Sequence, residues 1–454
     1  MKKILSLILV LSLSLALMLG CSGTPDTPDT PDEEVSLTVD PDIEAEISIL
    51  VPSGNDNEKT MINCLLDDFS MMFPNVTVSM RYVSITNYDS SIRQMAAAGT
   101  LPDIIWSNSP DFYYLVNKNL AMNLNGYIEA SEAAGVFDLD ETFYSEFFDC
   151  GSMNGNLYCI PRSSDRVVTF YNKEMFEAAG VDMTKVVDGW TWDDFLDACA
   201  KLRTYFDGQG WTDRYIVDAN LTGWLSVCYP MLLSYGGEAI DQNGNVVIES
   251  DATRECLQMV RTMVERRYIV DSSQSSGSSF ETGTSAMLFQ SASFSHYAER
   301  KALKGKIDLV SFPLIMDNNT PKIGSGIAGY AINSKSQYKD LCWQFLNLIL
   351  SKDGQQEMAL NGLNLASIRK DLSDYKTANW GTQYKDYNLG AYLYGSQYNV
   401  DASFLSRVNI AAKADIASAV YDLFTYAQDK SRSIEESIQK CKTAMQDAID
   451  NAED

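Results

Sequence analysis

"AEISILVPSGNDNEKTMINCLLDDFSMMFPNVTVSMRYV", residues 45–83, changes its hydrophobic period twice. Ala45 to Pro52 reads as a strand. Lys59 to Phe73 then sets Met61, Ile62, Leu65, Leu66, Phe69 and Met72 at steps of three and four, the spacing of a helix with one apolar face. Val76 to Val83 reads as a second strand. Onward from there, Tyr88 to Ala98 is a helix closed by Gly99, and Asp103 to Trp106 is a third strand. The resulting β-α-β-α-β order points to layered α/β architecture.

Farther along, "GWTWDDFLDACAKL" starts a helix at Thr191, with Asp194 three residues on in a capping-box arrangement, and turns Phe195, Leu196, Cys199 and Leu202 inward. Ala252–Arg266 and Lys339–Leu350 are further amphipathic helices. The last helix begins near Ser433, with Glu436 completing its cap, and buries Ile434, Ile438, Cys441, Met445 and Ile449. The serine-rich "SSQSSGSS" from Ser272 is a loop. In "CGSMNGNLYC" the Asn154-Gly155 pair marks a two-residue hairpin turn, closed by Met153 and Asn156. That register would set Cys150 opposite Cys159 at a separation compatible with a disulfide, so the pair is either bridged or two separate thiols.

Composition narrows the function. The chain has 454 residues and a formal charge of -26. Such acidity disfavours nucleic acid and anionic lipid headgroups as partners, because phosphate recognition needs a basic face. Lys2 and Lys3 precede a nearly unbroken apolar run from Ile4 to Leu19, so residues 1–20 read as a signal peptide rather than a membrane span. Met18-Leu19-Gly20-Cys21 resembles a bacterial lipobox, which would place a diacylglycerol on Cys21. Residues 21–43, with their Thr-Pro-Asp repeats, form a solvated tether. The rest, 454 − 20 = 434 residues once the signal is removed, suffices for two or three compact units and has no second span-length apolar stretch. Cys64, Cys199, Cys256 and Cys441 fall on apolar helix faces and read as buried hydrophobes. His296 is the only histidine, and nothing near it resembles a nucleophile elbow, so neither a Ser-His-Asp site nor a His-rich metal site is expected. "GSGIAG", residues 324–329, satisfies G-x-G-x-x-G, but "YAINS" after it reads as strand where a dinucleotide site needs a helix. No cofactor is expected.

Eight strings then occur in a familiar order: "SMMFPNVTVSMRYV", "IRQMAAAGTLPDIIW", "GNLYCIPRSSDRVVTFYNKEMFEAAGV", "GWTWDDFLDACAKL", "YPMLLSYGGEAI", "FETGTSAML", "GYAINSKSQYKDLCWQFLNLIL" and "SIEESIQKCKTAM". Together they resemble extracellular solute-binding proteins of family 1, relatives of the maltodextrin-binding protein that feed ABC importers. The resemblance covers nearly all of the chain after the tether. It implies an α/β, two-lobed periplasmic-binding-protein-like fold (type II), with lobes joined by crossing strands around a ligand cleft. The expected division assigns 44–160 and 280–330 to the N-terminal lobe, and 161–279 and 331–454 to the C-terminal lobe. It further implies a monomer, anchored to the membrane only through its lipid, that captures a carbohydrate by hinge closure and passes it unaltered to permease subunits. No catalytic residue is expected.

A sugar site needs aromatic platforms for pyranose faces and Asp, Asn or Arg for the hydroxyl rim. The loop after the first strand offers Asn55 and Asp56. Trp106, Ser107, Asn108 and Asp111 stand at the exit of the third strand, the usual place for ligands in an open α/β sheet, and the family places sugar contacts on this stretch. Arg162, Asp165 and Arg166 precede an apolar strand; related proteins hold sugar hydroxyls with an acidic residue at the Asp165 position, and a local Asp165-Arg salt bridge is the rival reading. Trp224 lies in a segment that in relatives supplies a cleft aromatic or carboxylate. Ser293 and Phe294 stand where the family often has a stacking tryptophan. Gly326 and Ile327 belong to the glycine-rich approach to a crossing strand. Trp380, Tyr392 and Tyr394 lie in an aromatic stretch near the expected rim, whereas Trp190, Trp192 and Trp343 read as packing residues. The alternatives are a secreted glycoside hydrolase, which needs two carboxylates flanking its cleft, and a surface glycan-binding protein without a transport role.

Overall fold

The computed structural model describes residues 35–53, 56–219, 221, 225–272, 279–315, 321–326, 328–360, 366–400, 403–409 and 411–453. Its strands are β1 (Ala45–Ser53), β2 (Val76–Ser84), β3 (Ile104–Asn108), β4 (Ser152–Met153), β5 (Asn156–Leu157), β6 (Ile160–Pro161), β7 (Val168–Asn172), β8 (Val217–Asp218), β9 (Met287–Gln290), β10 (Ile307–Ser311), β11 (Ile323–Gly324), β12 (Ala328–Ile332) and β13 (Asn399–Val400). The strand-helix-strand reading of 45–83 holds, with β1 and β2 paired in parallel over their full length, Ala45↔Val76 to Ser53↔Ser84, around the helix Asp56–Met72.

Two sheets organise the chain. The first has the order β2-β1-β3-β12-β6 and the second β10-β7-β9-β8. Ile47, Ile49, Leu50 and Val51 of β1 are fully buried, as an interior parallel strand covered on both faces requires. In the second sheet β7 runs antiparallel to both β9 and β10, and Phe170 and Phe289 point into aromatic clusters on opposite sides. Among the described residues no helix is long and apolar enough to cross a membrane.

The sheets exchange chain three times. Residues 162–167 lead from β6 to β7, residues 312–327 lead back from β10 to β12, and residues 359–412 connect two helical groups. The helix Lys339–Leu350 packs on the first sheet: Phe345 meets Phe69 edge-on at 5.6 Å and Trp343 stacks on Tyr127 at 4.9 Å. This corrects the expected division. β9 and β10, assigned with 280–330 to the N-terminal lobe, pair with β7 in the second sheet, while β12 and the helix Lys339–Leu350, the latter assigned to the C-terminal lobe, belong with the first. The cause is strand pairing: once β7 is placed, β9 and β10 fill both its edges, and the chain returns only afterwards.

The helix caps follow the sequence. Thr191 and Asp194 form a reciprocal capping box on the helix Trp192–Gly208, and Ser433 with Glu436 does the same before Ile434–Glu453. Thr191→Ala should cost about 1 kcal/mol, the usual value of an N-cap. A shift of the urea midpoint with unchanged slope would register it.

Candidate functional site

Where the three crossing segments meet they form a narrow ribbon. The backbone of Val167 donates to Gly324 (2.9 Å), Gly326 donates to the Asp165 carbonyl (3.0 Å), and Ser325 donates to Val400 (2.7 Å). β11 pairs with β13 in parallel beside it. The glycines of "GSGIAG" serve this close approach. A Cβ on Gly324 would lie 1.5 Å from the Ser226 carbonyl oxygen, one on Gly329 would lie 2.1 Å from that of Ile160, and one on Gly326 would lie 2.7 Å from Asp165 Oδ2. The motif therefore packs backbone on backbone and leaves the Asp165 carboxylate a bare glycine opposite.

Asp165 is half-buried on this ribbon. Its Oδ1 accepts from the Ser291 hydroxyl at 2.7 Å, just past the end of β9 in the second lobe. No salt bridge joins it to Arg162 or Arg166 among the described residues, although its charge still acts on Arg162. Arg162 has another partner: its Nε donates to both Glu58 oxygens at 3.0 and 3.1 Å, and the Tyr330 hydroxyl donates to Glu58 Oε1 at 2.6 Å. Burial pulls the Arg162 guanidinium down, but the charges of Glu58, Asp165 and Tyr330 and the bond to Glu58 together hold it above its ordinary value. Burial and the Glu58 charge push the Tyr330 phenol far up, keeping it a donor. This cluster fixes the exit of β6 and the middle of β12 against the first turn of the helix Asp56–Met72.

The exit of β3 adjoins the cluster through the register Tyr330↔Trp106, Gly329↔Ser107 and Ala328↔Asn108. Trp106 is buried at 6% exposure, with Tyr88 edge-on at 5.1 Å, and its indole N–H has no hydrogen-bond partner among the described residues. Ser107 is fully buried, whereas Asn108 is half-buried at the strand end. Asp103 holds the other end of β3, accepting from the Ser48 backbone and hydroxyl (2.9 Å each) and from Ser336 (2.8 Å). Its carboxylate is thus engaged in holding β3 to β1 and to the turn at Ser336.

Several expected contacts are packed elsewhere. Arg166 is 1% exposed and donates to the carbonyls of Tyr394 and Gly395, and burial pushes its guanidinium down to about 9. It ties the third crossing to the first rather than facing a ligand. Phe294 is fully buried in a cluster with Phe170, Tyr384 and Tyr387, because it opens the short helix Phe294–Ala298 on the sheet side. The Ser293 hydroxyl turns to Ser295 at 3.2 Å. Trp380 is fully buried with its indole N–H donating to Leu372 at 2.6 Å, so it is core and not rim. Asn55, Trp224, Ile327 and Cys21 lie outside the described residues, as do the side chains of Asp56 and Asp111, whose backbones begin or join helices. A cavity of about 350 Å³ opens along the edge strand β8, lined by Asp218, Phe280, Gln290 and Tyr297; none of the sequence candidates lies on it.

The hairpin forms with the expected register, Met153↔Asn156, and positive φ at Asn154 and Gly155. The disulfide does not. The ladder stops at Ser152↔Leu157, Cys150 curls back to cap the helix Glu146–Asp149, and no disulfide joins Cys150 to Cys159. No disulfide joins any of the eight described cysteines, and among them only Cys64 is not buried.

Glu58 and Ser291 escaped the sequence reading. Glu58 shares the polar loop-to-helix junction that drew attention to Asn55 and Asp56, and a carboxylate there could have been matched to Arg162. Ser291 gives no signal of its own beyond following β9.

A profile described as bacterial extracellular solute-binding protein matches residues 65–387. Among curated relatives, an arabinooligosaccharide-binding protein of Bacillus subtilis is 22% identical over 52% of this chain and 54% of its own length. One of the same name from Halalkalibacterium halodurans is 25% identical over 38% of this chain and 35% of its own. The chain thus spans about a third to half of the length of these relatives. In solved structures, the sugar-binding protein MalE of Xanthomonas citri superposes with a TM-score of 0.74 at 16% identity, covering 89% of this chain and 98% of that one. A Listeria monocytogenes ABC substrate-binding protein in complex with cycloalternan gives 0.70 at 18% identity, covering 90% and 100%. These likenesses give the two-lobed fold. With the profile matching well over half of its residues, the chain belongs to the bacterial extracellular solute-binding protein family.

Proposed function

We propose that this protein captures a carbohydrate, an oligosaccharide by preference, outside the cell, and hands it to the transmembrane subunits of an ABC importer without altering it. The observation that carries the reading is Asp165. It is a half-buried carboxylate on the ribbon between lobes, with one oxygen engaged by Ser291 of the second lobe and the other facing Gly326. Such a group accepts a sugar hydroxyl and is moved by any change in lobe angle, so ligand contact and closure are coupled. Relatives named for arabinooligosaccharides and fold neighbours solved with oligosaccharides support the ligand class. Residues 1–20 act as a signal peptide and Cys21 carries the lipid; radiolabelled palmitate incorporation that persists in Cys21→Ala would refute the anchor.

A thermal-shift screen against mono- and oligosaccharides tests the ligand, since a molecule that binds only the native fold raises its apparent stability. Turnover of any hit would defeat the receptor reading. Asp165→Ala should weaken binding of the hit by about 1–3 kcal/mol, the range of a lost charged hydrogen bond. Unchanged affinity by calorimetry would remove Asp165 from the site.

A further inference from the structure

We propose that Lys413, at the N-terminus of the helix Lys413–Gln428, receives an anionic group of the captured solute, a carboxylate of the uronic acid type. The inference rests on the carbohydrate reading and deepens it. Lys413 is 8% exposed, and its Nζ has no hydrogen-bond or ion-pair partner among the described residues. What it meets is the ring of Tyr113, 4.8 Å from Nζ to the centroid. A ring face returns only part of the hydration that a buried ammonium gives up. Position makes the deficit larger. Lys413 is the first residue of a 16-residue helix whose cap, Ala412, offers no side-chain acceptor, so the cation sits at the positive end of the helix dipole. Burial pushes the ammonium down to about 8, which leaves it mostly charged at neutral pH.

Helix end and lysine both call for negative charge, and they do so where the lobes meet. The helix Lys413–Gln428 packs in the second lobe, against Asp251–Glu265 and Ile434–Glu453. Tyr113 belongs to the helix Ser109–Asn117, directly after β3 in the first lobe. Asp415, two residues on, stands exposed in the same first turn and makes no ion pair with Lys413; a solute carboxylate entering between Lys413 and Tyr113 would supply the counter-charge at Nζ itself, and the dipole would add to it. A neutral hydroxyl would supply an acceptor without the charge.

The test titrates wild type and Lys413→Met with neutral oligosaccharides, with oligosaccharides carrying one uronic acid, and with sodium sulfate against chloride at constant ionic strength. Wild type should bind the uronate-bearing class at least tenfold more tightly than the neutral class. In Lys413→Met, which removes a buried charge and should fold at least as well, that ratio should fall to about one. Equal wild-type affinity for the two classes overturns the proposal, as does a ratio that survives in the variant. Should wild type bind neither class, the carbohydrate reading fails, and sulfate then decides on Lys413. Thermal stabilisation by sulfate in wild type alone upholds an anion site there, and an equal response in both proteins removes it.

Discussion

Glu58→Ala should destabilise the protein by about 3–5 kcal/mol, the usual cost of stripping one partner from a buried ion pair. Glu58 is fully buried and Arg162 is 7% exposed, so the orphaned guanidinium could not turn to water. Tyr330 would lose its acceptor as well. Glu58→Gln keeps a hydrogen-bond acceptor and should lose less. The double substitution Glu58→Leu with Arg162→Met removes both charges, and it should recover most of the loss, because the cost lies in the unpaired ion more than in the missing bond. Urea unfolding of the four proteins measures this directly. A single-variant loss under about 1 kcal/mol, the value of an exposed pair, would mean that the pair is hydrated in solution.

Gly324→Ala comes next in size. The added methyl would sit 1.5 Å from the Ser226 carbonyl oxygen and 3.0 Å from the Pro230 ring, so the crossing strand would have to part from the helix Leu225–Ser234. Overpacking of this kind costs roughly 1–3 kcal/mol, and more where the obstacle is backbone; about 3 kcal/mol or more is expected here. Gly208→Ala is the matched control. It lies at the end of the helix Trp192–Gly208 with nothing within 4 Å of its added Cβ, and it should be neutral or stabilising. Thermal unfolding of the two variants separates them, and equal midpoints would show that β11 does not press on that helix.

The fold was legible where local signals agree. Period changes in 45–83, the capping boxes at Thr191 and Ser433, and the Asn154-Gly155 turn all depend on residues a few positions apart, and all reappear in the structure. Lobe membership was not legible in the same way, because it is decided by which strands flank β7, a pairing across more than 100 residues. The site divides similarly. Asp165, named from the family resemblance, and Gly326, named from the glycine-rich run, face each other on the crossing ribbon. Phe294 and Trp380 were misread as contacts because an aromatic residue in a loop-like stretch looks the same whether it caps a core or lines a cleft; only the burial partners distinguish the two. The Cys150–Cys159 bridge failed for a related reason: hairpin register extends only as far as the ladder, and a helical turn at Glu146–Asp149 ends it.

The unbridged cysteines carry a practical consequence. Burial pushes the Cys228, Cys342 and Cys441 thiols up to about 12, so their nucleophilic anions are suppressed as well as hidden. Cys64, on the helix Asp56–Met72 six residues after Glu58, is the one described thiol left within reach of reagents. With Cys21 occupied by its proposed lipid, a maleimide fluorophore would therefore land on one described address, on the helix that carries Glu58, turning the native polypeptide into an optical reporter without engineering a single codon.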